Sequence, residues 1–236
     1  MQTLEFKSVL NGVAQLAGLD RDNLPTHFFK QVRDLANQRL AVAWETERWP
    51  SLVRVESATV TTASDINTAP YPTTAGMILQ VYQKEPRATT NAIPVAYSLY
   101  DTGTAQQIVL QSNDTPVYVE FKITRPNLTG DTFSSSTDYA VNDQVYYSTT
   151  GQFYDMTTDA AAGVLPTDTS KWTVVKIPKI FESYLIRGIY ADYLRANGQL
   201  EIAAMEDRTA EAFLTVEADK VYRQQGQVKK LNFIGY

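Results

Sequence analysis

Hydrophobic positions recur at the helical period at both ends of the 236-residue chain and at the strand period in its middle. Near the C-terminus Phe181, Tyr184, Leu185, Gly188, Ile189 and Tyr193 fall at i, i+3, i+4, i+7, i+8 and i+12, one apolar stripe on a helix. Asn197-Gly198 stops that helix, because glycine accepts the left-handed conformation that closes a helical end. A second helix follows. In it Ile202, Met205, Thr209, Phe213 and Val216 lie within a narrow arc, and most of the remaining surface is charged or alanine. At the other end, Phe6, Val9, Leu10, Val13 and Leu16 share one face of a helix over residues 4–17. The next helix begins near Thr26, read as its N-cap, and runs to about Arg48. Its core stripe is Phe29, Val32, Ala36, Leu40 and Ala43, widened by Phe28, Leu35 and Trp44. Trp49-Pro50 breaks it.

From Leu52 the period changes from 3.6 to 2. Val53 and Val55 alternate with polar residues, Met77, Leu79 and Val81 fall on one side of a strand, and Val95, Tyr97 and Leu99 on one side of another. The clearest alternation puts Val117, Val119, Phe121 and Ile123 inward and Tyr118, Glu120, Lys122 and Thr124 outward. Four to six antiparallel strands are predicted between residues 51 and 126. Residues 127–137 are polar and read as a linker. After them, residues 139–175 concentrate Tyr139, Tyr146, Tyr147, Phe153, Tyr154 and Trp172 between turn signals, which predicts a small β module that buries mainly aromatics.

The order helix-helix, strands, aromatic module, helix-helix predicts an α+β fold. The N- and C-terminal helices, residues 1–50 and 177–236, form a helical bundle. An antiparallel β region (51–126) and a small aromatic β module (138–176) are inserted into it.

Composition narrows the function. At 44% hydrophobic and 20% charged residues the chain has an ordinary globular composition. Its net charge of −5 argues against general nucleic-acid binding. With no cysteine and a single histidine, His27, disulfides, thiolate zinc sites and Cys-His or Ser-His mechanisms lose their parts. Glu201, Glu206, Asp207 and Glu211 cluster on one helix and read as a solvated face rather than an acid-base pair. No phosphate-binding glycine motif occurs, and no apolar run approaches a membrane span. No catalytic, cofactor-binding or metal site is therefore expected, and the chain reads as a non-enzyme.

Two stretches invite a partner. Tyr139, Tyr147, Tyr154 and Trp172 form either a glycan-facing platform or the core of their own module, and so small a module favours the core. The last residues, Lys229, Lys230, Leu231, Phe233, Ile234 and Tyr236, end the chain apolar and aromatic, as an arm that docks on a neighbour would.

Residues 32–52, with the element Ala43-Trp44-Glu45 and Trp49-Pro50, resemble tailed-bacteriophage head-to-tail connector (adaptor) proteins, as do the paired helices of residues 190–227. Separately, Tyr139, Asp143, Val145, Tyr147, Tyr154, Gly163, Pro166 and Trp172 resemble a chitin-binding-type carbohydrate module. The adaptor resemblance implies a homo-oligomeric ring, commonly a dodecamer, in the virion neck, assembled in the host cytoplasm. It implies a C-terminal arm (about 225–236) docked on the portal protein, contact with the next tail or neck component, and DNA passing through the lumen without sequence-specific contact. No membrane and no cofactor are implied. The module resemblance supports the rival expectation, a virion tail or adhesin protein that binds host glycan.

Overall fold

In the computed structural model, which describes residues 2–89 and 91–224, the chain divides into two compact units. One comprises residues 1–47 and 126–236, the other residues 48–125.

The first unit opens with helices α1 (Phe6–Leu16) and α2 (Thr26–Thr46). Phe6, Val9, Leu10 and Val13 of α1 and Phe28, Phe29, Val32, Ala36, Leu40, Ala43 and Trp44 of α2 are buried, so both predicted stripes are core faces. Thr26 is the first helical residue of α2 and Pro25 holds the cap position, its single carbonyl accepting the amides of both Phe28 and Phe29.

Among the described residues the second unit contains eight strands: β1 (Val53–Ala58), β2 (Thr61–Ala63), β3 (Ile66–Pro70), β4 (Ala75–Tyr82), β5 (Pro94–Val95), β6 (Tyr97–Asp101), β7 (Gln106–Leu110) and β8 (Val117–Ile123). They form two sheets, ordered β1-β8-β4-β5 and β2-β3-β7-β6, with every pairing antiparallel. The sheets share one core of Ile78, Val81, Ile108, Leu110, Val117, Val119 and Phe121, a small sandwich. Three details depart from the sequence pattern. The β2–β3 hairpin turns through Ser64 and Asp65, both at positive φ, a primed turn without the usual Asn-Gly signal. Register shifts in β4 put Ile78 and Val81 inward and leave Met77 exposed, so Met77, Leu79 and Val81 do not share a face. Glu120 and Lys122, expected outward, are buried. β8 lies between β1 and β4, and Glu120 is paired with Arg48 and accepts the Tyr82 hydroxyl at 3.2 Å.

Back in the first unit come β9 (Asp131–Thr132), β10 (Gln144–Tyr147), β11 (Gln152–Met156) and β12 (Trp172–Val174), then helices α3 (Glu182–Ala196) and α4 (Leu200–Gln224). The sheet order is β12-β11-β10-β9, with β9 parallel to β10 and the rest antiparallel. Strand alternation sends side chains of this sheet into two different cores. Val145, Tyr154 and Met156 join Trp172, Phe133 and Tyr139 on one face. Tyr146 and Phe153 point the other way and meet Phe6 of α1 and Phe29 of α2. Their ring centroids lie 4.9 to 6.3 Å apart across the group. Burial there pushes the Tyr146 phenol up to about 12.

The expected helical bundle with β parts inserted into it is therefore overturned. Among the described residues the protein is a mixed α/β structure of three four-stranded sheets and four helices, and the helices do not form a bundle. The physical reason is the aromatic group just described: α1 and α2 bury part of their apolar faces on a sheet, not on a closed ring of helices. The Lys7 amide of α1 even donates to the Gly151 carbonyl in the β10–β11 turn, at 3.0 Å.

The stretch read as a linker is also part of the structure. Asn37 of α2 bonds Leu128 twice, Nδ2 to its carbonyl and Oδ1 from its amide, both at 2.8 Å. Gln144 Oε1 accepts the amides of Thr129 and Gly130 at 2.7 and 3.1 Å. Lys30 and Arg33 pair with Asp131 at 3.0 and 2.9 Å. Leu128 is buried. A polar sequence here satisfies specific backbone groups instead of solvating a tether. No described helix is long and apolar enough to cross a membrane.

Candidate interaction surfaces

Helix α4 carries the most informative surface. The sequence stripe Ile202, Met205, Thr209, Phe213, Val216 does lie along one side, but that side faces solvent. Ile202 is 50% exposed, Met205 68%, Phe213 40% and Val216 50%, and Leu200 at the helix start is also exposed. The buried positions of α4 are Ala203, Ala210, Leu214 and Ala218. The packing face is thus three alanines and one leucine, and the large apolar side chains of the stripe are left unpartnered among the described residues. Scattered exposed apolar residues are ordinary on a soluble protein. A row running from Leu200 to Val216, about 24 Å of helix, is not.

A polar network secures the packed side. Arg39 of α2 places its guanidinium against Asp192 of α3 through two hydrogen bonds of 2.6 Å, and against Asp207 of α4 at 2.7 Å. Arg195 bonds Asp192 at 2.7 Å and also reaches Asp207. Arg187 of α3 bonds Glu206 of α4 at 2.9 and 3.2 Å. Burial disfavours the Arg39 cation, but Asp192 and Asp207 outweigh it and hold the group more firmly protonated than usual. Burial likewise pushes Asp207 up, and the hydrogen bonds from Arg195 and Arg39 prevail, holding it below the ordinary carboxylate range. Gly188 makes the approach fit: a Cβ there would sit 3.0 Å from Arg39 Cδ.

Of the acidic cluster noted in the sequence, Glu206 and Asp207 are consumed by this network, while Glu201 and Glu211 are exposed. Sequence reading missed Arg39 as the partner of Asp207 and Arg187 as that of Glu206. The available signal was Gly188 itself, a glycine in a helix interior where it costs about 1 kcal/mol relative to alanine and so calls for a packing reason. His27 is exposed in the first turn of α2.

In the aromatic module Trp172 and Tyr154 are buried, and Tyr139 and Tyr147 are half-buried. Tyr139 stacks on Phe133 at 5.6 Å and meets Trp172 edge-on at 5.3 Å. Trp172 Nε1 is buried with no hydrogen-bond partner among the described residues. Beside Tyr139 lies a shallow recess of about 420 Å³ lined by Asp138, Asp143 and Asp159. Each of these carboxylates already accepts a backbone amide: from Ala162 at 2.6 Å, Ala140 at 2.8 Å and Val141 at 2.7 Å respectively. Among the described residues no group of three or more acidic, histidine or cysteine side chains is placed to hold a metal ion. Of the four rings read either as a glycan-facing platform or as the module's own core, Tyr154 and Trp172 are buried and Tyr139 and Tyr147 are half-buried. Lys229, Lys230, Leu231, Phe233, Ile234 and Tyr236 lie outside the described residues.

No protein-family model matches the chain, and no curated protein matches it.

Proposed function

We propose that the chain is a structural head-to-tail adaptor of a tailed-bacteriophage neck, assembling as a ring beneath the portal and joining the capsid to the tail with a passage for DNA. The exposed stripe Leu200, Ile202, Met205, Phe213, Val216 carries this reading. A stably monomeric protein would not leave such a row in water, and a ring buries one on every copy. The resemblance of residues 32–52 and 190–227 to adaptors gives the class. The net charge of −5 fits a lumen through which DNA slides without being held. The C-terminal arm (about 225–236) is assigned to the portal.

The test pairs two variants. Met205→Ser with Phe213→Ser alters exposed side chains, so the fold should keep its stability within about 0.5 kcal/mol while the oligomer is lost in analytical ultracentrifugation. A chain ending at Gln224 should fold and fail to decorate portal-bearing capsids. A serine variant that assembles like the wild type, or a shortened chain that still decorates portals, would refute the reading.

A further inference from the structure

We propose that α4 is a latched helix: it can undock from α3 as a unit, turning about Asn197-Gly198, and the Arg39 network is the latch that sets how often it does so. This inference stands apart from the adaptor reading. It starts from how little apolar surface holds α4 down. The helix runs for 25 residues, yet its buried side chains are three alanines and one leucine. Elements with few buried apolar contacts are those that open locally before the rest of a protein unfolds.

The remaining attachments are polar and come from side chains of other helices. Arg187 and Arg195 of α3 engage Glu206 and Asp207. Arg39 is the member that ties α4 to α2, because one guanidinium serves Asp192 and Asp207 together. These groups are mostly shielded, with side-chain exposures of 13% for Arg39, 17% for Asp192 and 24% for Asp207, so water does not screen them as it would a surface pair. A second tie sits near the far end of the helix, where the Tyr222 hydroxyl donates to Glu47 at 2.5 Å. Between α3 and α4 the chain turns on Gly198 at φ +78°, a conformation open to glycine, with the Gln199 amide closing on the Leu194 carbonyl at 2.9 Å. A helix fixed by a short turn at one end, by ion pairs at Glu206 and Asp207 and by the Tyr222–Glu47 bond near its other end is built to release when those ties are broken, while α1, α2 and α3 keep their own cores.

Hydrogen-exchange mass spectrometry of the full chain tests this with Arg39→Met, which keeps an unbranched apolar stem out to the ε position and removes the charged fork. Exchange of amides in residues 200–224 should accelerate at least tenfold, with residues 6–46 and 182–196 unchanged. Asp207→Asn, which removes the shared charge with little change of shape, should move the same amides in the same direction by a smaller factor. Equal acceleration of α3 and α4, no change in α4, or failure of both variants to fold would each overturn the proposal, because each would show that the network belongs to the global core.

Discussion

Replacing Phe153 by alanine tests whether the aromatic module and the N-terminal helices are one folded body. Phe153 is 2% exposed, with its ring 5.0 Å from Phe6, 5.3 Å from Tyr146 and 6.3 Å from Phe29. Truncating a buried phenylalanine costs about 3–5 kcal/mol, and each lost aromatic pair is worth about 0.5–1.5 kcal/mol within that total. A domain of this size holds about 5–15 kcal/mol altogether, so the loss should lower Tm by about 10 °C or more. Guanidinium unfolding would be followed by far-ultraviolet circular dichroism, which reports the helices, and by near-ultraviolet circular dichroism, which reports the packed rings. Both signals should shift together and by the same amount. Tyr147→Ala removes a half-buried ring from the opposite face of the sheet, on the neighbouring strand β10, and should cost about half as much or less. If Phe153→Ala left the helical midpoint in place while the aromatic signal collapsed, the module would be an independent domain and the shared core would be wrong.

Three further outcomes follow from named contacts. Trp172→Phe should change unfolding free energy by about 1 kcal/mol or less, because losing an unpartnered buried N–H offsets the lost volume, whereas Trp172→Ala should cost about 3–5 kcal/mol by the same denaturant assay. Gly130→Ala should cost about 1–3 kcal/mol, since its Cβ would lie 2.6 Å from the Gln144 carbonyl oxygen. Lys30 and Arg33 hold Asp131 below its ordinary value of 3.8, as Arg195 and Arg39 do for Asp207. A depressed carboxylate contributes stability that is present above the unfolded value and is lost as pH falls through the folded one. Stability should therefore hold from neutral pH to about 5 and decline below about 4, less steeply in Asp131→Asn, as measured by denaturation across pH.

Much of the local structure could be read from residue spacing. The stripes of α1, α2 and α3 and the inward set Val117, Val119, Phe121 of β8 are buried as their periods require. The failures share a cause, which is that period alone does not say what an element packs against. In α4 the largest side chains mark the periodic stripe, but the helix packs with Ala203, Ala210 and Ala218, and the stripe is left outside. The Tyr146 and Phe153 side of the module meets Phe6 and Phe29, residues more than a hundred positions away, so its role as shared core is invisible in the local pattern. The register shifts of β4 turn Ile78 inward and Met77 outward, inverting an expectation by one residue. The candidate surface was legible as a set of positions and illegible as a surface, because only the fold shows which side of α4 is free. The Arg39 network joins residues 39, 192 and 207 and had only Gly188 to announce it.

The adaptor proposal is tested most directly by negative-stain imaging of phage particles carrying an electron-dense label on this protein. The account predicts a closed ring of label at the portal vertex, between capsid and tail. Label on the tail tip or fibres, or single copies scattered without a ring, would contradict it.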